Sequence, residues 1–190
     1  MIPPEDVPGP WTRVSRALAY ENDWIQVFHD EVLRPDAQPG IYGVVHPRTY
    51  AVGVVAIDDR DRVALVGQYR YTLGRYSWEI PEGGVPIGHD PLEGARRELA
   101  EETGVRAATW HEVTRFSLAN STSDETGVLY VATGLTMGEA DPDETEELRV
   151  RWVDFAQTIE AVRTGELFDA MTQIGLLRVA LDRANGRLRP

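Results

Sequence analysis

The sequence predicts an α+β fold in which helices pack against a mixed β-sheet. Strand-like runs fill the centre of the 190-residue chain, one helical pattern interrupts them, and two more helical patterns follow at the end. A regular alternation of strands and helices would instead indicate a doubly wound parallel sheet. The order of the elements therefore favours an α+β or mixed-sheet sandwich.

The N-terminal part of the chain predicts a small antiparallel β subdomain. The Pro-rich start, MIPPEDVPGP, is expected to form a loose tail. Three short strands are then predicted in RALAYEND, WIQVFHDEVL and GIYGVVHP, with turns at Asn22-Asp23 and in RPDAQPG. We therefore divide the chain into this β subdomain with its tail, residues 1–47, and a main domain, residues 48–190.

The main domain begins with a predicted β-hairpin. The runs YAVGVVAIDD and RVALVGQYRY flank the turn at residues 58–61. A strand in RYSWEIP and a helix from Pro91 to Thr103 follow. Three more strands are predicted in TWHEVTRFSLAN, TGVLYVATGL and EELRVRWVDF, and two helices in FAQTIEAVRTG and DAMTQIGLLRVALDRANG.

Charge and composition exclude several classes of function. The formal net charge of −12 argues against non-specific binding to nucleic acid or anionic membrane, because a basic surface that neutralises phosphates is missing. The absence of cysteine excludes disulfides, thiolate zinc sites and cysteine nucleophiles. The N-terminus is unlike a signal peptide, and the longest apolar run, 51–57, is far too short for a membrane span. A soluble cytoplasmic protein is therefore expected.

The helix from Pro91 to Thr103 has ends that the sequence marks clearly. Asp90 is a suitable N-cap, Pro91 occupies the first helical position, and Glu93 can complete a capping box. Gly104 follows the last helical residue and predicts the C-terminal stop.

Glu98, Glu101 and Glu102 of this helix share one face, because they are spaced at i, i+3 and i+4. Their charges repel, and the helix dipole disfavours acids in the last turn. Arg97 can pair with Glu101, but two acids then stay uncompensated. The face is either a solvated acidic surface or a cation site, whose oxygen ligands would select Mg²⁺ or Mn²⁺. The preceding PEGG segment favours the cation site, since glycine lets the backbone approach a metal-bound diphosphate.

The segment GGVPIGHDPLEGARRELAEETGV, residues 83–105, resembles the Nudix box. The positions in register are Gly83, Arg97, Glu98, Leu99, Glu101, Glu102, Gly104 and Val105. Weaker similarity to the ADP-ribose pyrophosphatase-like, nucleoside diphosphate sugar hydrolase branch extends through ALVGQYRY, SWEIPEGG and EELRVRWV. The resemblance implies an α/β/α sandwich with a mixed sheet. It also implies Mg²⁺- or Mn²⁺-dependent hydrolysis of a nucleoside diphosphate sugar to a nucleoside monophosphate and a sugar phosphate.

The resemblance also implies metal ligands and catalytic groups. The metal ligands would be the backbone carbonyl of Glu82 and the three box carboxylates, those of Glu98, Glu101 and Glu102. Catalysis would involve Glu102 together with an acidic loop that supplies the general base, through Glu144 and Glu146. The alternative for that loop is a solvated acidic turn.

Substrate contacts are implied outside the box. Arg70 would touch the diphosphate, and its alternative is a surface strand residue. Glu125 would contact the terminal sugar. Trp24 or Tyr20 would stack on the base, and the alternative for each is a buried core aromatic. The N-terminal ribbon in this branch often crosses to a partner subunit, which implies a homodimer.

Two positions depart from the family pattern. His89 replaces the first box glutamate and cannot accept an ion pair from Arg97, so the support of the metal site is expected to differ. Asn120 stands where ADP-ribose specialists usually carry a proline, which leaves other nucleoside diphosphate sugars open as substrates.

Two alternatives to this function stay open. A dinucleoside polyphosphate, a coenzyme or an oxidised nucleotide is the alternative substrate. A non-catalytic nucleotide-sugar sensor is the alternative to an enzyme.

Overall fold

The computed structural model describes residues 9–139 and 147–188, which form two compact units. Among these residues, no helix is long and apolar enough to cross a membrane.

The first unit contains an antiparallel sheet of three strands. Strands β1 (Thr12–Glu21), β2 (Ile25–Leu33) and β3 (Pro39–Pro47) pair in the order β1-β2-β3. Asp30 on β2 is buried, and its carboxylate lies 2.7 Å from the Nε atom of Arg16 on β1. The structure confirms the predicted N-terminal antiparallel sheet.

A segment distant in sequence belongs to the same unit. Residues 119–125 lie against β3, where the Val45 N–H donates to the Thr122 carbonyl at 2.8 Å. This segment contains Asn120 and Glu125, two positions that the sequence analysis singled out.

The described part of the second unit contains two sheets, three α-helices and a short 3-10 helix at Tyr71–Leu73. Its described elements, in chain order, are β4 (Thr49–Ala56), β5 (Arg62–Arg70), β6 (Arg75–Glu79), β7 (Glu82–Pro86), α1 (Pro91–Thr103), β8 (Val105–Ser117), β9 (Thr126–Met137), β10 (Arg149–Asp154), α2 (Phe155–Thr164) and α3 (Ala170–Ala184). One sheet has the order β10-β5-β6, and the other has the order β7-β4-β9-β8. The second sheet is mixed, because β4 and β9 are parallel while its other pairs are antiparallel.

Helices cover both faces of the mixed sheet. Along β9, Val128 faces the apolar cluster that contains Leu99 of α1, whereas Leu129 faces the cluster that contains Leu176 of α3. Alternation along a strand sends successive side chains to opposite faces, so one buried strand serves two cores. The α+β class and the α/β/α sandwich are thus confirmed.

The predicted hairpin between β4 and β5 is wrong, because the two strands belong to different sheets. The turn itself forms: the Asp58 carboxylate accepts from the backbone N–H of Arg60 at 3.0 Å and of Arg62 at 2.8 Å. Ile57 and Val63 make an isolated bridge, after which each strand pairs elsewhere. The sequence had predicted the chain reversal correctly but not the strand partners.

The PEGG segment is a strand rather than a plain connection. Its last three residues, Glu82, Gly83 and Gly84, lie in β7, which pairs antiparallel with β4 and places Glu82 opposite Gly53. The sequence does not predict this strand because it contains two glycines, and glycine is depleted in strands.

Candidate active site

Helix α1 begins and ends where its capping residues predict. The Asp90 carboxylate accepts from the Leu92 N–H at 2.9 Å, and Gly104 has a left-handed backbone with φ of 70°. Glu93, the expected capping-box acid, forms an ion pair with Arg96 at 2.6 Å. These caps fix the register in which the box glutamates project from the helix.

The three box glutamates differ strongly in exposure. The side chains of Glu98 and Glu101 are 13% and 41% exposed, whereas Glu102 is only 4% exposed. Arg97 lies 2.7 Å from a Glu98 oxygen and 2.8 Å from a Glu101 oxygen. The guanidinium thus pairs with two acids, one more than the i, i+4 spacing had indicated.

The first residues of β7 lie directly against the box acids. The Glu82 N–H donates to Glu102 Oε2 at 3.1 Å. A Cβ atom added at Gly83 would lie 2.5 Å from each carboxylate oxygen of Glu98, so any other residue here would displace that carboxylate. The backbone of Glu82, whose carbonyl is the expected metal ligand, is therefore held beside two of the three predicted carboxylate ligands.

A second group of acids surrounds the side chain of Glu82. Glu79 ends β6, Glu82 begins β7, and Asp169 caps α3 by accepting from the Thr172 N–H at 2.7 Å. One carboxylate oxygen from each of the three acids lies within 4.8 Å of the others. Glu79 and Asp169 are not among the site residues predicted from the sequence. For Glu79, a signal was available in the sequence, because this acid lies between Trp78 and Ile80 at the end of a predicted strand.

Arg70 pairs with two members of this acid group. Its Nε atom lies 3.0 and 2.9 Å from the two Glu79 oxygens, and its Nη2 atom contacts Glu79 and lies 2.8 Å from Glu82 Oε1. Burial lowers the pKa of Arg70, but the hydrogen bond and charge of Glu79, together with the charges of Glu82 and Asp169, more than offset this, and the pKa is raised. Arg70 is therefore paired with this group of acids and is not an isolated surface residue.

The carboxyl group of Glu82 has a perturbed pKa. Burial raises the pKa of Glu82 well above its ordinary value, the charges of Asp169 and Glu79 raise it further, and Arg70 opposes them. Its Oε2 atom is buried and lacks a hydrogen-bond partner within the described residues. The carboxyl group of Glu82 therefore lies in an environment that disfavours its ionised form.

Replacing Glu82 by Gln is expected to remove a pH dependence of stability. A carboxyl whose pKa is raised in the folded state binds more protons there, so the free energy of unfolding falls as pH rises above its ordinary pKa of 4.5. In EDTA, the gain in melting temperature of Glu82→Gln over the wild type should be larger at about pH 8 than at about pH 5. An equal difference at both pH values would contradict the raised pKa.

The residues around Glu82 and Gly83 fit a hard divalent cation. The donors are carboxylate and carbonyl oxygens, which Mg²⁺ and Mn²⁺ prefer. The Glu98 carboxylate lies against the Gly83 backbone, and a buried Glu82 oxygen has unused acceptor capacity among the described residues.

The remaining predicted residues belong to the first unit or fall outside the described residues. In the first unit, Trp24 and Tyr20 are 73% and 55% exposed, which contradicts the alternative of buried core aromatics. Glu125 in the same unit is half-buried, and burial raises its pKa. Glu144 and Glu146 lie outside the described residues.

Two family models match the chain. The NUDIX domain model matches residues 47–170, and the model described as the nucleoside diphosphate sugar hydrolase N-terminal domain matches residues 11–45. A solved structure of an ADP compounds hydrolase superposes with a TM-score of 0.84 at 21% identity, covering 97% of this chain and 100% of that chain. At this identity the likeness concerns the fold.

Relatives with assigned activities share a substantial part of the sequence. An ADP-ribose pyrophosphatase of Mycobacterium tuberculosis is 36% identical over 132 residues, which are 68% of this chain and 64% of that protein. An ADP-ribose pyrophosphatase of Bacillus subtilis is 29% identical over 90% of this chain and 93% of that protein. A methanol dehydrogenase activator of Bacillus methanolicus is 32% identical over 82% and 84%. Because a family model covers well over half of the chain, this protein belongs to the Nudix hydrolase family.

Proposed function

We propose that the protein hydrolyses the diphosphate bond of ADP-ribose or another nucleoside diphosphate sugar to a nucleoside monophosphate and a sugar phosphate. One observation carries the proposal: box acids and a guanidinium meet at the start of β7. Glu102 bonds to the Glu82 backbone at 3.1 Å, and Arg70 pairs with the Glu82 side chain at 2.8 Å. A diphosphate needs both kinds of group, acids that hold its metal ions and a donor that binds its oxygens.

The metal would be Mg²⁺ or Mn²⁺, held by the Glu82 carbonyl and the carboxylates of Glu98, Glu101 and Glu102. When bound, it neutralises diphosphate charge and lowers the pKa of a coordinated water. Glu102 is buried and the side chain of Glu98 is only 13% exposed, so packing restricts both carboxylates before a metal binds. Glu101 is more exposed and depends on Arg97 for its orientation.

The other assignments follow the family resemblance. Arg70 would donate hydrogen bonds to the diphosphate, Glu125 would contact the terminal sugar, and Trp24 would stack on the base. Glu144 or Glu146 would take the proton of the attacking water. Residues 1–47 and 48–190 are proposed as two domains. The homodimer and the cytoplasmic location remain predictions.

A substrate panel with product identification tests the proposal. The purified protein is incubated with Mg²⁺ or Mn²⁺ and ADP-ribose, other nucleoside diphosphate sugars, dinucleoside polyphosphates, coenzymes and oxidised nucleotides. Fastest release of a nucleoside monophosphate from a diphosphate sugar supports the proposal, and preference for another class contradicts it. Calorimetric binding of a nucleotide sugar without turnover would instead indicate a sensor.

His89→Glu is expected to leave the rate similar or somewhat higher. His89 is exposed in the turn after β7, where its N–H donates to the Pro86 carbonyl at 3.0 Å. A carboxylate directly before the N-cap Asp90 lies near the positive end of the helix dipole and is stabilised there. Steady-state kinetics on the best substrate provide the measurement. A loss of more than about tenfold would reveal a role for His89.

A further inference from the structure

We infer that the side chain of Glu82 is a positioning residue that, with Glu79, fixes the orientation of the Arg70 guanidinium for the substrate. The inference rests on the proposed function, and it concerns the Glu82 side chain rather than the backbone carbonyl assigned to the metal.

The two carboxylates share the Nη2 group of the guanidinium. Glu79 accepts from Nε and Nη2, and Glu82 accepts from Nη2 at 2.8 Å. The Nη1 group makes no hydrogen bond within the described part of the chain, so it is the donor left for a ligand. Two carboxylates that share one guanidinium define its orientation, whereas a single carboxylate would leave more rotational freedom.

Arg70 needs such support because of its place in the fold. It is the last residue of β5, and its side chain is 34% exposed, whereas that of Glu79 is 2% exposed. A long side chain at a strand end has many rotamers, and restricting them before binding reduces the entropic cost of ligand contact. Glu79 anchors the guanidinium in the interior, and Glu82 provides a second acceptor at Nη2.

The charge balance of the cluster also retains the guanidinium. Three acids, Glu79, Glu82 and Asp169, lie together, and Arg70 forms ion pairs with Glu79 and Glu82. One Asp169 oxygen is already used at the N-terminus of α3. Glu82 is thus the acid that links Arg70 to β7, the strand whose Glu82 carbonyl is the proposed metal ligand.

The first test measures binding of a non-hydrolysable ADP-ribose analogue in Mg²⁺, so that it does not depend on turnover. Glu82→Ala should raise the Kd about tenfold, because the Nη2 edge loses an acceptor. Glu82→Gln should restore the Kd to within about threefold, since its amide oxygen can still accept from Arg70. Glu112→Ala is the matched control: it breaks an exposed pair with Arg115 at 2.7 Å and should leave the Kd unchanged.

The second test is a double-mutant cycle with Arg70. If Glu82 acts through Arg70, Glu82→Ala should change the Kd by less than about twofold in an Arg70→Ala background. Arg70→Lys takes the place of Arg70→Ala if burial of an unpaired Glu79 prevents folding, which melting curves reveal. The Mg²⁺ concentration for half-maximal effect should stay the same in Glu82→Ala, because the backbone carbonyl remains.

Other outcomes overturn the inference. An unchanged Kd in Glu82→Ala, or an effect that persists without Arg70, would show that Glu82 does not position the guanidinium. A higher Mg²⁺ requirement would instead make its side chain a metal ligand. Wild-type binding without hydrolysis would overturn the proposed function alone, whereas failure to bind any nucleoside diphosphate sugar of the substrate panel would overturn both.

Discussion

Glu102→Gln is expected to lower the rate of diphosphate hydrolysis by about a thousandfold or more. Glu102 is 4% exposed, and its Oε2 atom accepts from the Glu82 N–H at 3.1 Å. Glutamine keeps the size of the side chain and one acceptor, so the contact with β7 can persist. The negative charge that would bind a divalent cation is lost. The measurement is nucleoside monophosphate release from ADP-ribose at a Mg²⁺ concentration that saturates the wild type.

Glu112→Gln provides a control with the same chemical change. Glu112 lies on β8, is exposed, and belongs to neither group of site acids. Its replacement should keep the rate within about twofold. If Glu102→Gln retained most of the wild-type rate with the same Mg²⁺ dependence, Glu102 would not be a metal ligand.

Local chemistry explains why helix α1 could be predicted to the residue. Asp90, Pro91 and Gly104 act within one turn of the helix ends, so the sequence alone contains the information that places them. The turn at Asp58 was predictable for the same reason. The partners of β4 and β5 were not, because strand pairing depends on contacts between segments far apart in the chain.

The same distinction holds for the candidate site. The spacing of Glu98, Glu101 and Glu102 on one helix is readable in the sequence. Glu79 and Asp169 come together only because α3 packs near the end of β6, where the Ile80 N–H donates to Thr172 across 92 positions at 3.0 Å. No local pattern encodes that contact, so the acid cluster around Arg70 emerged from the fold.

The two halves of the site meet in a single residue. The Glu82 backbone N–H contacts a box acid, whereas the Glu82 side chain contacts Arg70. A shift of β7 would therefore disturb the proposed metal ligands and the proposed phosphate-binding group together. Tight packing between β7 and α1 is expected to matter for activity more than for stability.

Gly83→Ala tests this packing and is expected to lower the rate about a hundredfold. The added Cβ would lie 2.5 Å from both oxygens of the Glu98 carboxylate. Glu98 is also paired with Arg97 at 2.7 Å, so the collision must displace either that pair or the strand. The φ angle of Gly83 is not positive, so the effect comes from lost space rather than from backbone strain.

Gly43→Ala is the matched control, because it also places a methyl group on a strand glycine but meets no atom within 4 Å. It should leave both the rate and the metal requirement unchanged. Gly83→Ala should need more Mg²⁺ for half-maximal rate, while its melting temperature falls by only about a few degrees. A rate near that of the wild type would mean that the Glu98 carboxylate can move without loss, and that the contact between β7 and α1 does not hold the metal ligands in place.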